Sequence, residues 1–222
     1  MGLILHIYSD EHGHVGLIDV MGSDKRVVNA ARVSFLKNNE TEPITDKDQR
    51  LIEFLASHGH TSPFEHCTAT FLLSVPVFVC RQIMRHRTFS YNEVSRRYTS
   101  EAIEFFYPDE MRGQAKQNLQ CSDGVVLGDH PHETYNRAIQ AAWISYENLI
   151  SQGVSRELAR GVLPQAAYTM FYMTGNLHNW IKFIKLRDHE HAQPETQVVA
   201  KTIKSELIKH FPCSMYAWFK GE

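Results

Sequence analysis

The stretch CTATFLLSVPVFVCRQIMRHR, Cys67–Arg87, changes its period in the middle. Cys67 to Val75 is rich in β-branched and aromatic residues, the composition of a pleated, half-buried strand. Pro76 follows, and proline suits the first turn of a helix, where its missing N–H leaves no bond unmade. From there VFVCRQIMRHR takes helical spacing, with Val79, Cys80, Ile83 and Met84 on the apolar side. Arg81 and Arg85, four residues apart, fall together on a different face.

Upstream, Leu3–Ser9 reads as a strand closed by the polar turn DEHGH, and Lys25–Phe35 has helical spacing. Asp46 reads as the N-cap of a helix whose Leu51, Ile52 and Leu55 share a face and which Gly59 stops. Downstream, RRYTS is strand-like, and Pro108–Pro131 reads as loops with at most one short helix. Helices resume over residues 131–153 and over 155–163, the latter capped by Ser155 and ended by Pro164. AAYTMFYMTG, 166–175, is a second good strand, and Asn176–Leu186 and Pro194–Phe211 are the last helices. Strands and helices interleave without regular βα alternation. The expectation is a single α+β domain over residues 1–222, a largely antiparallel twisted sheet flanked by helices.

Hydrophobic residues make up 43% and charged ones 22%, so a chain of 222 residues can bury a large core. Net charge is −2, which supplies no global basic field for nucleic acid or a membrane surface. No membrane span or leader is expected, because no apolar run approaches the roughly 20 residues a spanning helix needs. The four cysteines form no C-x-x-C pair, which fits a reducing cytoplasm and argues against a zinc knuckle.

Against that neutral background, RHRTFSYNEVSRRY (Arg85–Tyr98) gathers five basic or histidine side chains and one acid, Glu93. From Arg81 to Arg112 there are six arginines, and no lysine comes before Lys116. Guanidinium groups grip phosphates and carboxylates through paired, planar donors that lysine lacks, so the selection points to a small anionic ligand. Ser90, Asn92, Glu93 and Ser95 read as a polar loop able to wrap a heterocycle, with Glu93 an ionised acceptor rather than a general acid. The bland alternative is a capping segment. Further on, Arg156 and Arg160 share a helical face, and Arg187 at a helix end could simply complement the dipole. The histidines around HGHTSPFEH, DHPHE and DHEH lack the H-E-x-x-H spacing of a metal helix, so no metal is expected. Two rival readings stay open on the residues alone: a nucleotide- or RNA-binding module without catalysis, and a histidine-ligated metal hydrolase.

RHRTFSYNEVSRRY resembles the signature of flavin-dependent thymidylate synthases, with Arg85-His86-Arg87, Asn92-Glu93, Ser95 and Arg97-Tyr98 at the matching positions. AARVSF (30–35), GHTSPFEH (59–66), RELARGVLP and FIKLRDHEHAQPE also resemble blocks of that family in the same order; the segment from Met111 to His132 does not. The resemblance implies reductive methylation of dUMP by 5,10-methylenetetrahydrofolate, with FAD as cofactor recharged by NADPH, in a cytoplasmic homotetramer with shared sites. By position, dUMP would be held by Gln82, Arg85, Glu93, Ser95, Arg96 (through its backbone), Arg97, Arg160 and Arg187, with Arg187 the catalytic residue beside the uracil. FAD would be held by His60, Ser62, Arg85, His86, Arg87, Thr88, Glu93, Asn176, His178 and Lys182, with Ser34 and Glu65 as further candidates. The chain departs from the family pattern at Ser62, His178 and Lys182, where other hydrogen-bonding residues are common. The family's chemistry needs no thiol, and neither Cys80 nor Cys67 reads as an activated thiolate.

Overall fold

The computed structural model describes residues 4–36 and 42–221. Two strand-to-helix junctions organise it. Strand β3 (Thr68–Pro76) runs directly into helix α3 (Val77–Ile83), and strand β7 (Tyr168–Asn176) runs directly into α6 (Leu177–Arg187). The two strands pair antiparallel over their whole length, from Thr68 opposite Asn176 to Pro76 opposite Tyr168. Their helices therefore start at opposite ends of the pair. The remaining elements complete a five-stranded antiparallel sheet of order β1-β2-β3-β7-β4, with β1 at Ile4–His6, β2 at His14–Met21 and β4 at Ser90–Glu93.

The core forms where the alternating apolar faces of β3 and β7 meet α6. Phe71, Leu73, Val75, Phe171 and Met173 are buried, and Trp180 of α6 stands edge-on to Phe71 at 5.0 Å. Trp180 also donates its ring N–H to the Ala69 carbonyl at 3.2 Å, so its one polar atom is satisfied. Truncating such a side chain to alanine costs about 3–5 kcal/mol. Gly175 is required at this junction, because a Cβ there would meet the Phe89 ring at 2.4 Å. Around the sheet lie α1 (Asp24–Arg32), α2 (Asp46–Ser57), α7 (Pro194–His210) and α8 (Pro212–Phe219). Helices α4 (His130–Ser151) and α5 (Arg156–Ala159) bury a smaller apolar cluster around Phe105, Ile139 and Tyr146.

Several sequence expectations change. Thr45, not Asp46, caps α2, in a capping box with Asp48 that satisfies donors in both directions. Gly59 does follow α2, with φ +68 that glycine adopts freely. Helix α3 stops at Ile83 rather than Arg87, and Ser90–Glu93 forms an edge strand on β7 rather than a loop. RRYTS is a turn, not a strand, and Ser155 sits at the N-cap of α5 without a side-chain bond. Residues 156–162 are one short α-turn followed by a 3-10 turn, so Arg156 and Arg160 do not share one helix. Within the stretch read as loops, β5 (Arg112–Gln114) and β6 (Ser122–Val125) pair as a separate hairpin. Leu3 lies outside the described residues; among them, no helix is long and apolar enough to cross a membrane.

Candidate active site

Because α3 and α6 enter from opposite ends of one strand pair, their C-terminal ends converge. Arg187, the last residue of α6, donates from Nη2 to the Gln82 carbonyl at 2.8 Å. Its Nε donates to Nε2 of His86 at 3.0 Å. An imidazole can accept there only if it is neutral and carries its proton on Nδ1. Burial first, then the charges of Arg187 and Lys182, lower the His86 pKa to about 4, which keeps that acceptor in place at neutral pH. The turn is fixed in turn by Tyr91, whose hydroxyl reaches the carbonyls of Ile83 (3.1 Å) and His86 (2.9 Å).

Arg187 faces a cavity of about 510 Å³ that it shares with Arg81, Gln82, Arg85, Gln120, His191 and Gln193. Among the described residues, three guanidiniums and no carboxylate line it. Gln82 is held by two partners, donating its amide to Gln193 and accepting from Thr196 at 3.3 Å. Arg81 also lines a second cavity of about 430 Å³, with Glu93, Ser95, Arg96, Arg160 and Thr169. There Glu93 accepts the Thr169 hydroxyl at 2.6 Å. Arg96 turns its guanidinium inward onto the backbone carbonyls of Glu101, Ala102 and Tyr168 (2.6, 3.1 and 3.4 Å), so its side chain braces the loop. Arg97 lines neither cavity and approaches Glu157 at 3.9 Å on the surface. The eight residues assigned to dUMP thus fall into two groups in one chain, joined at Arg81, with Arg97 apart.

Most of the residues assigned to FAD occupy a more open face, but Glu93 lines the second cavity, Arg85 the arginine cavity, and His86 sits behind Arg187. His60, Ser62, Arg85, Arg87, Thr88 and Lys182 are exposed, and the 62–66 turn lies against α6. Asn176 caps α6 through Oδ1 to the Asn179 N–H (2.9 Å), and Asn179 ties the helix to the Thr88 carbonyl at 3.2 Å. His178 is partly buried beside Trp218, with Nδ1 buried and lacking a hydrogen bond. Burial and then Lys182 lower its pKa against the opposing pull of Glu65. Glu65 accepts from Thr61 at 3.3 Å, and Ser34 lies in the exposed turn Val33–Phe35, lining neither cavity.

Burial raises the thiol pKa of Cys67 to about 11 and of Cys80 to about 12, so both stay protonated at neutral pH. Among the described residues, no three His, Cys, Asp or Glu side chains are grouped to hold a metal ion. Sequence reasoning missed Thr169, His191, Gln193 and Gln120. The first three sit in stretches already read as strand or family block; Gln120 lies in the segment with no legible period.

Residues 16–213 match the family model described as thymidylate synthase complementing protein. A flavin-dependent thymidylate synthase of Thermus thermophilus is 42% identical over 199 residues, spanning 90% of this chain and 72% of that protein. One of Thermotoga neapolitana is 40% identical over 211 residues, spanning 95% and 92%. Among solved structures, the UMP/dUMP methylase PolB of Streptomyces cacaoi, bound with 5-Br dUMP, superposes with a TM-score of 0.83 at 34% identity, covering 93% of this chain and 94% of that one.

Proposed function

This chain belongs to the flavin-dependent thymidylate synthase family of enzymes, and on that premise we propose that it converts dUMP to dTMP. The carbon donor is 5,10-methylenetetrahydrofolate, and NADPH returns the cofactor to its reduced state. One observation carries the reading: three arginines line a cavity without a carboxylate, and one of them, Arg187, is aimed by two fixed acceptors. Such a site takes an anion, and a guanidinium held beside the pyrimidine stabilises negative charge as it develops on the ring. In this assignment Arg187 lies beside the uracil and favours its N3-deprotonated, more nucleophilic form. His86, unable to take a proton near neutral pH, fixes the guanidinium without competing for that proton. Gln82, Arg85, Glu93, Ser95, Arg160, Arg97 and the backbone of Arg96 hold the nucleotide. The split of these residues between two cavities supports a site completed by a second copy of the chain, as in a homotetramer.

The exposed donors along α6 and the 62–66 turn fit FAD in chemistry. His60, Ser62, Arg85, His86, Arg87, Thr88, Asn176, His178 and Lys182 offer guanidinium, imidazole, hydroxyl, amide and ammonium groups to a pyrophosphate and a heterocycle, and Glu93 offers an acceptor to the heterocycle. The buried Nδ1 of His178 is one polar atom on this face that a ligand can satisfy. The hydride would come from FAD held by these residues in its reduced form. Protonated thiols at Cys67 and Cys80 support a reaction that needs no cysteine nucleophile. The setting proposed is the cytoplasm, without nucleic-acid or membrane partners.

The test is an assay of purified protein with FAD, methylenetetrahydrofolate and NADPH, offering dUMP and UMP separately, because a structural relative was solved with both 5-Br dUMP and 5-Br UMP. Yellow protein that makes dTMP only when donor and reductant are both present is the expected result. A colourless protein that takes up no added FAD ends the proposal.

A further inference from the structure

We propose that the β5–β6 hairpin is a specificity wall of the nucleotide cavity, with Gln120 in its turn hydrogen-bonding an uncharged edge of the bound nucleotide. The inference rests on the nucleotide reading above and assigns a task to a segment outside the family-like blocks.

The hairpin is fastened at both ends, to helix α7 at one and to His191 of the cavity lining at the other. Arg112 of β5 pairs with the buried Glu195 in the first turn of α7 at 2.5 Å and donates to the Ser122 hydroxyl across the hairpin at 3.0 Å. At the other end, Cys121 Sγ donates to the His191 carbonyl at 3.4 Å. The turn between the strands is braced from inside. The Gln114 amide donates to the carbonyls of Leu119 (2.8 Å) and Cys121 (3.2 Å), the residues on either side of Gln120. The Cys121 N–H closes the turn onto the Asn118 carbonyl at 2.9 Å. A loop held this way presents its middle residue in a fixed place, which selectivity requires.

Gln120 lines the cavity of Arg81, Arg85 and Arg187, and also an adjoining one of about 380 Å³ under the hairpin, lined by Arg112, Gln114 and Ser122. It therefore stands at the boundary between the two. Three carboxamides line the arginine cavity. Gln82 and Gln193 are bonded to each other, whereas the Gln120 carboxamide makes no hydrogen bond to any described residue. Guanidiniums attract any small anion, so they cannot by themselves choose one phosphate ester over another. A neutral amide with a donor and an acceptor can, because a mismatched edge leaves a polar group unpaired.

The test measures dissociation constants of dUMP and of inorganic phosphate by calorimetry on FAD-loaded protein, wild type and Gln120→Ala, with melting curves to verify folding. One neutral hydrogen bond corresponds to about a three- to tenfold change in affinity. Gln120→Ala is expected to weaken dUMP by that factor and to leave phosphate within about twofold. Unchanged dUMP affinity overturns the contact. Equal weakening of both ligands also overturns it, since the effect then runs through the arginines. A wild type that binds phosphate but not dUMP sinks the nucleotide reading and the contact together, whereas normal wild-type binding with an indifferent variant sinks the contact alone.

Discussion

Two clusters of positive charge in this molecule differ in one respect. At the junction of α1 and α2, Lys25 and Arg32 converge on Asp48 at 3.1 and 2.6 Å, and that carboxylate is 1% exposed. Lys25 also reaches the Pro43 carbonyl at 3.3 Å. At the junction of α3 and α6, Arg81, Arg85 and Arg187 converge on a cavity with no carboxylate among the described residues of its lining. The first cluster is tied to an acid within the chain, one carboxylate shared by two cations, and fastens two helices. The second meets no acid among the described residues of its lining, and in the proposed function it is the nucleotide that supplies the negative charge. A count of cations does not distinguish them; the presence or absence of a buried acid does.

Breaking the closed cluster carries the largest expected effect. Asp48→Ala removes the shared acceptor and leaves two cations facing each other, a loss of about 3–5 kcal/mol in denaturant unfolding. Acid should do the same gradually. Burial pushes the Asp48 carboxyl up, but the Thr45 N–H, Lys25, the Thr45 hydroxyl and Arg32 outweigh it and hold the pKa at about 2, against an ordinary 3.8. Because the folded value is the lower one, the contribution is complete above about pH 4 and disappears as pH falls toward 2, about 2 kcal/mol in all. A melting temperature unchanged across that range contradicts the assignment.

In the open cluster, Arg187→Ala should leave the fold and the flavin spectrum in place while lowering kcat for dTMP about 100-fold or more, the scale of losing a fixed charge-stabilising donor. Near-normal turnover would mean that Arg187 does not act on the pyrimidine. A smaller effect separates aiming from charge. His86→Phe should lower kcat about tenfold, and His86→Gln, which keeps an acceptor near Nε2, should recover most of it. Similar losses in both variants would assign His86 to packing against Phe183 instead, 5.0 Å away in ring contact.

How much of this the sequence could reveal depends on where each signal lies. Strands β3 and β7 were legible because apolar alternation and a flanking proline or glycine are local. β2 was not, since a register shift between Leu17 and Asp19 breaks its alternation and much of it is exposed. β4, Ser-Tyr-Asn-Glu, places one aromatic, Tyr91, against the core among polar residues, too little to show alternation, and it is visible only through its pairing with β7. The eight-residue α8 was too short to show a period beside its longer neighbour α7. In the site, the preference for arginine over lysine was visible in the letters. The bond that aims Arg187 joins residues 101 positions apart, and no spacing rule reaches that far.

Titration of dUMP into the FAD-loaded protein by calorimetry, wild type against Arg85→Ala, addresses the open cluster most directly. Saturable binding in the wild type, weakened at least about tenfold when one guanidinium of the uncompensated group is removed, is the predicted outcome. Equal affinity in both proteins would mean that the anion sits elsewhere, and the contrast between the two clusters would lose its functional meaning.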